Sequence, residues 1–373
     1  MLFKDVVGQE EIKQHLIDIA LAGNVPHAQL FLSYPGAGAL PMALAFTQML
    51  VCEQPTNTDS CGTCSACIKA QKLIHPDIHF SYPVINKNAS HKTPQISIDY
   101  INEWRKEVLE NPYLDEQEWL QKIGAENKQG NISAFEARSI IKGLNLTAFE
   151  SKYKIHIIWM AEALAKEGNI LLKLIEEPPE NTVLILIAEN QEEILPTIIS
   201  RCQLVKINKL NDEAIAEGLI KKGVPQSNTQ HLAYLADGNF NNAIKLIDSE
   251  TGADTRRLTQ WLDFSINLKA GELYKWVDEN SKAGRENLKV FLEYSTHIFR
   301  ESLLLLHIQN YTARLAKDEL NLAMRINKFL TYQKLETLLE LINKKHYEIE
   351  RNVSPKLVLM DLSLKIHHII RGK

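Results

Sequence analysis

The chain has 373 residues, 45% hydrophobic and 24% charged, with a formal net charge of −4. That length predicts roughly two to three domains, and the weakly acidic balance argues against a strongly basic nucleic-acid binder. No apolar run approaches the ~20 residues of a membrane span. The opening MLFKDVVGQEEIKQHL is amphipathic and mixed in charge, unlike a signal peptide. The expectation is a cytoplasmic protein with no membrane partner.

Strand-like and helix-like segments alternate at first. Ile12, Leu16, Ile19 and Ala20 fall at helical spacing, and Gln29–Ser33 reads as a short buried strand. Pro41–Cys52 predicts a helix with proline near its start, where the missing N–H costs nothing. Lys154–Trp159, Val183–Ala188 and Cys202–Ile207 predict further strands, and Asn169–Glu177 an amphipathic helix stopped by Pro178 and Pro179. Such alternation implies a doubly wound parallel sheet. From Asn211 the strands stop: Asn211–Lys222, Ser227–Ala236 and Asn241–Asp248 read as short helices. From Asp254 only long helical patterns follow, among them Arg285–Asn310 and Leu315–Lys345. The fold class is α/β then all-α, with an α/β domain over 1–210, a small helical module over 211–250 and a helical domain over 254–373. Residues 80–131 look like an insertion, with a helix-like run Ile96–Asn111, a stop at Pro112 and a polar tail Gly124–Gly130. Its Trp104, Tyr113 and Trp119 either pack it down or face a partner, and packing is the preferred reading.

Two local patterns carry chemistry. Residues 29–46, QLFLSYPGAGALPMALAF, outline a phosphate-binding loop without its reactive groups. In G-x-x-x-x-G-K-[ST], backbone N–H groups cradle the phosphates, the lysine reaches the β/γ oxygens and the hydroxyl holds Mg²⁺. Aligning on Gly38, after Gly36, puts Ser33 at the first glycine, Ala39 at the lysine and Leu40 at the hydroxyl. ATP is therefore not expected to bind productively. The second pattern is Cys52, Cys61, Cys64 and Cys67, four thiols within sixteen residues. This spacing predicts a closed tetrahedral Zn²⁺ site, structural because no position is left for water. An iron–sulfur cluster is the other group that takes four thiolates. Cys202 reads as a small buried hydrophobe. Arg201, between a helix-like run and a strand, is either an ordinary surface arginine or a guanidinium offered to a neighbour's phosphate.

These residues together resemble the clamp-loader branch of the AAA+ superfamily, and within it the delta-prime family of bacterial DNA polymerase III. The resemblance is carried by FKDVVGQ (Phe3 to Gln9), Pro26-His27-Ala28, the four cysteines and His75-Pro76-Asp77. Arg138 with Ile140 and Ile141, Tyr153-Lys154, Leu171-Leu172-Lys173 with EEPP (Glu176 to Pro179), and LPTIISRC (Leu195 to Cys202) extend it over residues 1–248. It implies a zinc module at 52–67, a lid at 211–250 and a C-terminal collar that oligomerises. It further implies ATPase (gamma/tau) and delta subunits as partners, with the sliding clamp and primed DNA reached through the complex. The departures imply the role. Trp159 and Met160 stand where active relatives carry an Asp-Glu pair, Glu189-Asn190 at the first sensor, and Asn241 at the sensor arginine. The resemblance thus implies a subunit without hydrolytic activity whose Arg201 acts in trans on a neighbouring ATP site. The rival reading, a free-standing zinc-dependent nucleic-acid binder, wants basic and aromatic residues near the metal, and residues 52–67 contain no Lys or Arg.

Overall fold

Among the described residues, five strands, β1 (Ala28–Ser33), β2 (Ile78–Ser81), β3 (Lys154–Trp159), β4 (Thr182–Ala188) and β5 (Gln203–Ile207), form one wholly parallel sheet in the order β2-β3-β4-β1-β5. In register, Leu30 lies beside Leu186 on one flank and Leu204 on the other. The central strands β3, β4 and β1 are almost wholly buried because both faces are covered, whereas edge strand β5 exposes Gln203, Leu204 and Lys206. Phe31, Ile155, Ile157, Ile185 and Val205 join one core with α1 (Glu10–Ala22) and α2 (Ala39–Val51). Leu30, Ile158, Leu184 and Leu186 join the other. There they meet α6 (Ala134–Leu144), α7 (Leu172–Glu176) and α8 (Pro196–Ile199). Between α2 and α6 come α3 (Ser65–Gln71), α4 (Ile101–Glu110) and α5 (Glu116–Lys122).

The computed structural model describes residues 1–85, 94–125, 128–247, 253–309, 311, 313–351 and 353–371. Parts of the 80–131 insertion and of its Gly124–Gly130 tail, residues 248–250 of the expected lid, and Asn310 lie outside the described residues. The chain divides into two units, Met1–Lys245 and Leu246–Lys373.

Within the first unit, α9 (Asp212–Lys221), α10 (Gln226–Leu235) and α11 (Phe240–Ile247) follow the sheet. They surround a small core of Ile215, Leu219, Ala233 and Phe240 that Val7 and Tyr113 also enter. The insertion is closed at its base by an antiparallel bridge between Val84 and Asn131. Its aromatic residues pack inward, as preferred from the sequence. Trp104 and Trp119 are fully buried. Trp104 stacks on Tyr82 at 4.1 Å, meets Trp119 edge-on at 5.2 Å, and touches Trp159 at the end of β3 at 5.1 Å.

One strand was missed and two expectations are corrected. Strand β2 was not predicted, since four residues with a histidine inside carry almost no period-2 signal. Only Leu172–Glu176 of the helix expected over Asn169–Glu177 is α-helical; the residues before it end a 3₁₀ run, Ala161–Leu171, kinked at Ala165 with φ 44°. The Leu315–Lys345 pattern is two helices, α15 (Lys317–Ile326) and α16 (Tyr332–Glu350). They part at Asn327 and Thr331, residue types that favour caps over helix interiors.

Among the described residues the second unit's secondary structure is helical, adding α12 (Ala253–Ile266), α13 (Ala270–Lys282), α14 (Arg285–His307) and α17 (Pro355–Arg371). Trp261 stacks on Trp276 at 5.7 Å and its indole N–H donates to Ser363 Oγ at 2.8 Å. No helix among the described residues is long and apolar enough to cross a membrane.

Candidate metal centre and phosphate-loop site

The four cysteines converge. Helix α2 ends at Val51 with Cys52 as its C-cap, and Cys64 caps α3, placing Cys67 in that helix's first turn. All four sulfurs lie within 4.8 Å of one another, and Cys61 Sγ is 3.9 Å from Cys67 Sγ. A tetrahedral zinc with Zn–S bonds of about 2.3 Å holds its sulfurs about 3.8 Å apart, so the donor set fits that ion. The backbone turns toward the sulfurs as well. Cys61 N–H donates to Cys52 Sγ at 3.2 Å, Cys64 N–H to Cys61 Sγ at 3.3 Å, and Cys67 N–H to Cys64 Sγ at 3.4 Å. Such donors stabilise thiolates. Asp59 fastens the loop to the chain start, accepting the N–H groups of Phe3 and Lys4 at 3.1 Å each.

The phosphate-loop site lies at the C-terminal end of β1, where open α/β sheets present ligand sites. Gly36 (φ 65°) and Gly38 (φ 100°) shape the turn, and Gly38 caps α2. Ala39 and Leu40 are both buried and bring neither charge nor hydroxyl. Side chains from distant segments lie against the turn. A Cβ on Gly36 would lie 1.8 Å from Asn239 Oδ1, and one on Gly38 3.2 Å from Tyr113 Cε1. Phe240 N–H donates to the Gly36 carbonyl at 3.1 Å.

The neighbouring positions singled out in the sequence are buried or acidic. Trp159 and Met160 are buried, with Trp159 against Trp104. Asn241, 2% exposed, accepts from Asn111 Nδ2 at 2.7 Å and donates to Glu118 at 2.6 Å. Glu189 meets a crowd of acids. Burial, then the charges of Glu162, Asp115 and Glu116, push its carboxyl up to about 8. Burial and the Glu162 charge likewise push Glu116 up to about 7. Lys245 answers part of this charge, reaching Asp115 at 2.7 Å and Glu118 at 3.3 Å. Its burial opposes the ammonium, but the two carboxylates outweigh that and raise its pKa.

Arg201 follows α8 at the surface, apart from the residues just described. Its Nε donates to Glu176 Oε1 at 2.5 Å and one terminal nitrogen to the Thr197 carbonyl at 3.0 Å, with over a third of the side chain exposed. Cys202 beside it packs on the sheet core, and burial pushes its thiol up to about 12, an unreactive hydrophobe.

The family described as DNA polymerase III, delta subunit, matches residues 8–120 and 115–211, more than half of the chain. The chain belongs to this family. It is 24% identical over 389 residues to the DNA polymerase III subunit tau of Bacillus subtilis, covering 98% of this chain and 61% of that one. It is 27% identical over 257 residues to the subunit delta' of Bacillus subtilis, covering 68% and 63%. The matches thus span about three-fifths of those relatives' length. A crystal structure of a gamma subunit-related protein from Thermotoga maritima aligns over 95% of this chain and 99% of that one, at 15% identity and a TM-score of 0.40.

The cysteine spacing anticipated the convergence of the four sulfurs, but sequence reasoning missed what lies against the Gly36–Gly38 turn. Asn111, Tyr113, Asp115, Glu116 and Glu118 come from the insertion, more than 70 residues downstream of Gly38. The only local signal was a cluster of aromatic residues in an otherwise polar segment, which says that something is packed but not where.

Proposed function

We propose that this chain is a non-hydrolysing, delta-prime-type subunit of a cytoplasmic DNA polymerase III clamp loader. It assembles with ATPase (gamma/tau) and delta subunits, and the complex loads the sliding clamp on primed DNA. Family membership supports the complex. The observation that carries the non-hydrolysing role is the phosphate-loop turn. Ala39 and Leu40 supply only backbone groups there, and Trp159 and Met160 supply no carboxylate for a metal.

Arg201 is offered in trans. Released from Glu176, its guanidinium meets the γ-phosphate of a neighbouring subunit's ATP and stabilises charge developing in the transition state. Cys52, Cys61, Cys64 and Cys67 hold a structural zinc, which staples the loop and supplies no reaction step. The C-terminal helices form the collar: Phe329 and Leu357, each about two-thirds exposed, are apolar surface suited to neighbouring subunits.

Mixing the purified chain with ATPase and delta subunits and sizing the product tests the reading. Co-elution with them, and no ATP turnover by the chain alone, is the expected result. A monomer that never co-elutes overturns the assembly, and turnover by the isolated chain overturns the non-hydrolysing role.

A further inference from the structure

We propose that the insertion segment Asn111–Glu118 is a built-in occupant of the phosphate-loop site, holding α9–α11 against the α/β domain in the way a bound nucleotide otherwise would. The proposal rests on the reading above that the site takes no nucleotide, and names what replaces it.

The segment touches each wall of the site. Tyr113 is buried; its ring lies against Gly38 and meets Phe240 of α11 edge-on at 4.8 Å. Its hydroxyl accepts the Val7 N–H at 2.8 Å, joining the chain start to the same ring. On the other side, Asn111 and Glu118 take both ends of the Asn241 amide, and Asp115 takes Lys245. A buried amide and a largely covered ammonium thus have their partners in the insertion, and leaving would cost each of them a hydrogen bond or an ion pair.

The segment is also shaped for the site rather than carried there passively. The insertion is anchored elsewhere, through Trp104 and Trp119 on Tyr82 and Trp159. Those ring contacts involve no residue of Asn111–Glu118 and none of α11. Asn111, the C-cap of α4, ends that helix, while Asp115 caps α5 with Glu118 reaching back in a capping box. The polar side chains that face Asn241 and Lys245 are therefore set by rigid helix ends. With Glu116 beside Glu162 and Glu189, the occupied site is acidic where a triphosphate would need cations.

Hydrogen exchange on the full chain tests this. Segments that share one occupant open together. In Tyr113→Ala, exchange over residues 36–42 and 240–247 is expected to rise together by about tenfold or more, with residues 258–366 unchanged and Tyr113→Phe, which keeps the ring, in between. Faster exchange confined to 101–125, with 240–247 still protected, overturns the proposal. If Tyr113→Ala does not fold, the unsubstituted chain in rising urea gives the answer. Residues 111–118, 36–42 and 240–247 are expected to merge into one opening transition; early opening of 111–118 alone overturns it. Millimolar Mg·ATP is expected to change nothing. Protection of 36–42 by Mg·ATP with loss of protection at 111–118 supports a displaceable occupant while defeating the non-binding reading. Protection of both at once defeats the occupant.

Discussion

The two candidate sites sit at opposite ends of one helix. Gly38 caps the start of α2 and Cys52 its end, about 20 Å away at 1.5 Å per residue. At the C-terminal end, four donors from one short loop converge with their chemistry intact. At the N-terminal end, the turn offers neither a lysine nor a hydroxyl at Ala39 and Leu40, and Tyr113, Asn239 and Phe240 from distant parts of the chain lie against it. A metal site made of one contiguous loop stands or falls with its ligands. A nucleotide site made of many segments can lose its ligand and keep its architecture, provided another group bridges the walls.

The largest effect tests the intact end. The purified protein should carry about one zinc per chain, and Cys64→Ser should reduce that to nearly none; structural zinc in finger peptides contributes about 10–16 kcal/mol. Because the sheet core lies outside the loop, the remaining α/β structure should survive. Elemental analysis without zinc after chelator-free purification, or an iron–sulfur absorption band, would break the comparison.

The next concerns Arg201, which lies apart from both sites and is proposed to act on a neighbouring subunit's nucleotide. Arg201→Ala should leave folding, zinc content and assembly intact while lowering hydrolysis at the adjoining site by about 10³–10⁵, the range for arginine fingers. Other sites of the complex keep their own fingers, so clamp loading is the better readout. Unchanged loading by a normally assembled mutant complex would make Arg201 an ordinary surface arginine held by Glu176.

Trp104→Ala should destabilise the first unit by about 3–5 kcal/mol, as for other buried aromatic truncations, because it hollows the contact between insertion and β3. Urea unfolding followed by hydrogen exchange should place the loss in residues 1–245 and leave the transition of 258–366 unmoved. A cost under about 1 kcal/mol, within the range of an ordinary surface change, would mean that the insertion is not seated there.

The smallest effect is a pH dependence. Glu189 and Glu116 bind their protons more tightly folded than unfolded, with folded values of about 8 and 7 against an ordinary 4.5. Stability that is fully present below about pH 4.5 is therefore lost as pH rises through 7 and 8. The melting temperature of the first unit should fall across that window, and Glu189→Gln, which removes one ionisation beside Glu162, Asp115 and Glu116, should flatten the fall. An unchanged slope would show that these carboxyls are solvated.

What was legible follows the same division between local and distant. The strands Lys154–Trp159 and Val183–Ala188 announce themselves because a sheet covered on both faces needs uninterrupted apolar runs. The cysteine spacing and the Gly36-Ala37-Gly38 turn are equally local. Strand β2 was hidden by its shortness and by His79, and the break at Asn327 by flanking residues with a helical period of their own. Tyr113 could be read only as an aromatic that packs. Its place over Gly38 depends on a chain reversal near Asn111 and on the position of α11, neither of which leaves a period or spacing in the sequence.

The bridge between Val84 and Asn131 has a consequence for how the segment it closes can be altered. Val84 and Asn131 exchange both backbone hydrogen bonds, at 3.0 and 3.1 Å. The two ends of a roughly 45-residue excursion therefore lie side by side, next to edge strand β2. A segment whose ends meet can enter or leave a gene in one event without shifting the register of the strands that flank it, since the points it connects were neighbours beforehand. Shortening or lengthening the segment between Val84 and Asn131 is therefore expected to leave the register of the neighbouring strands intact.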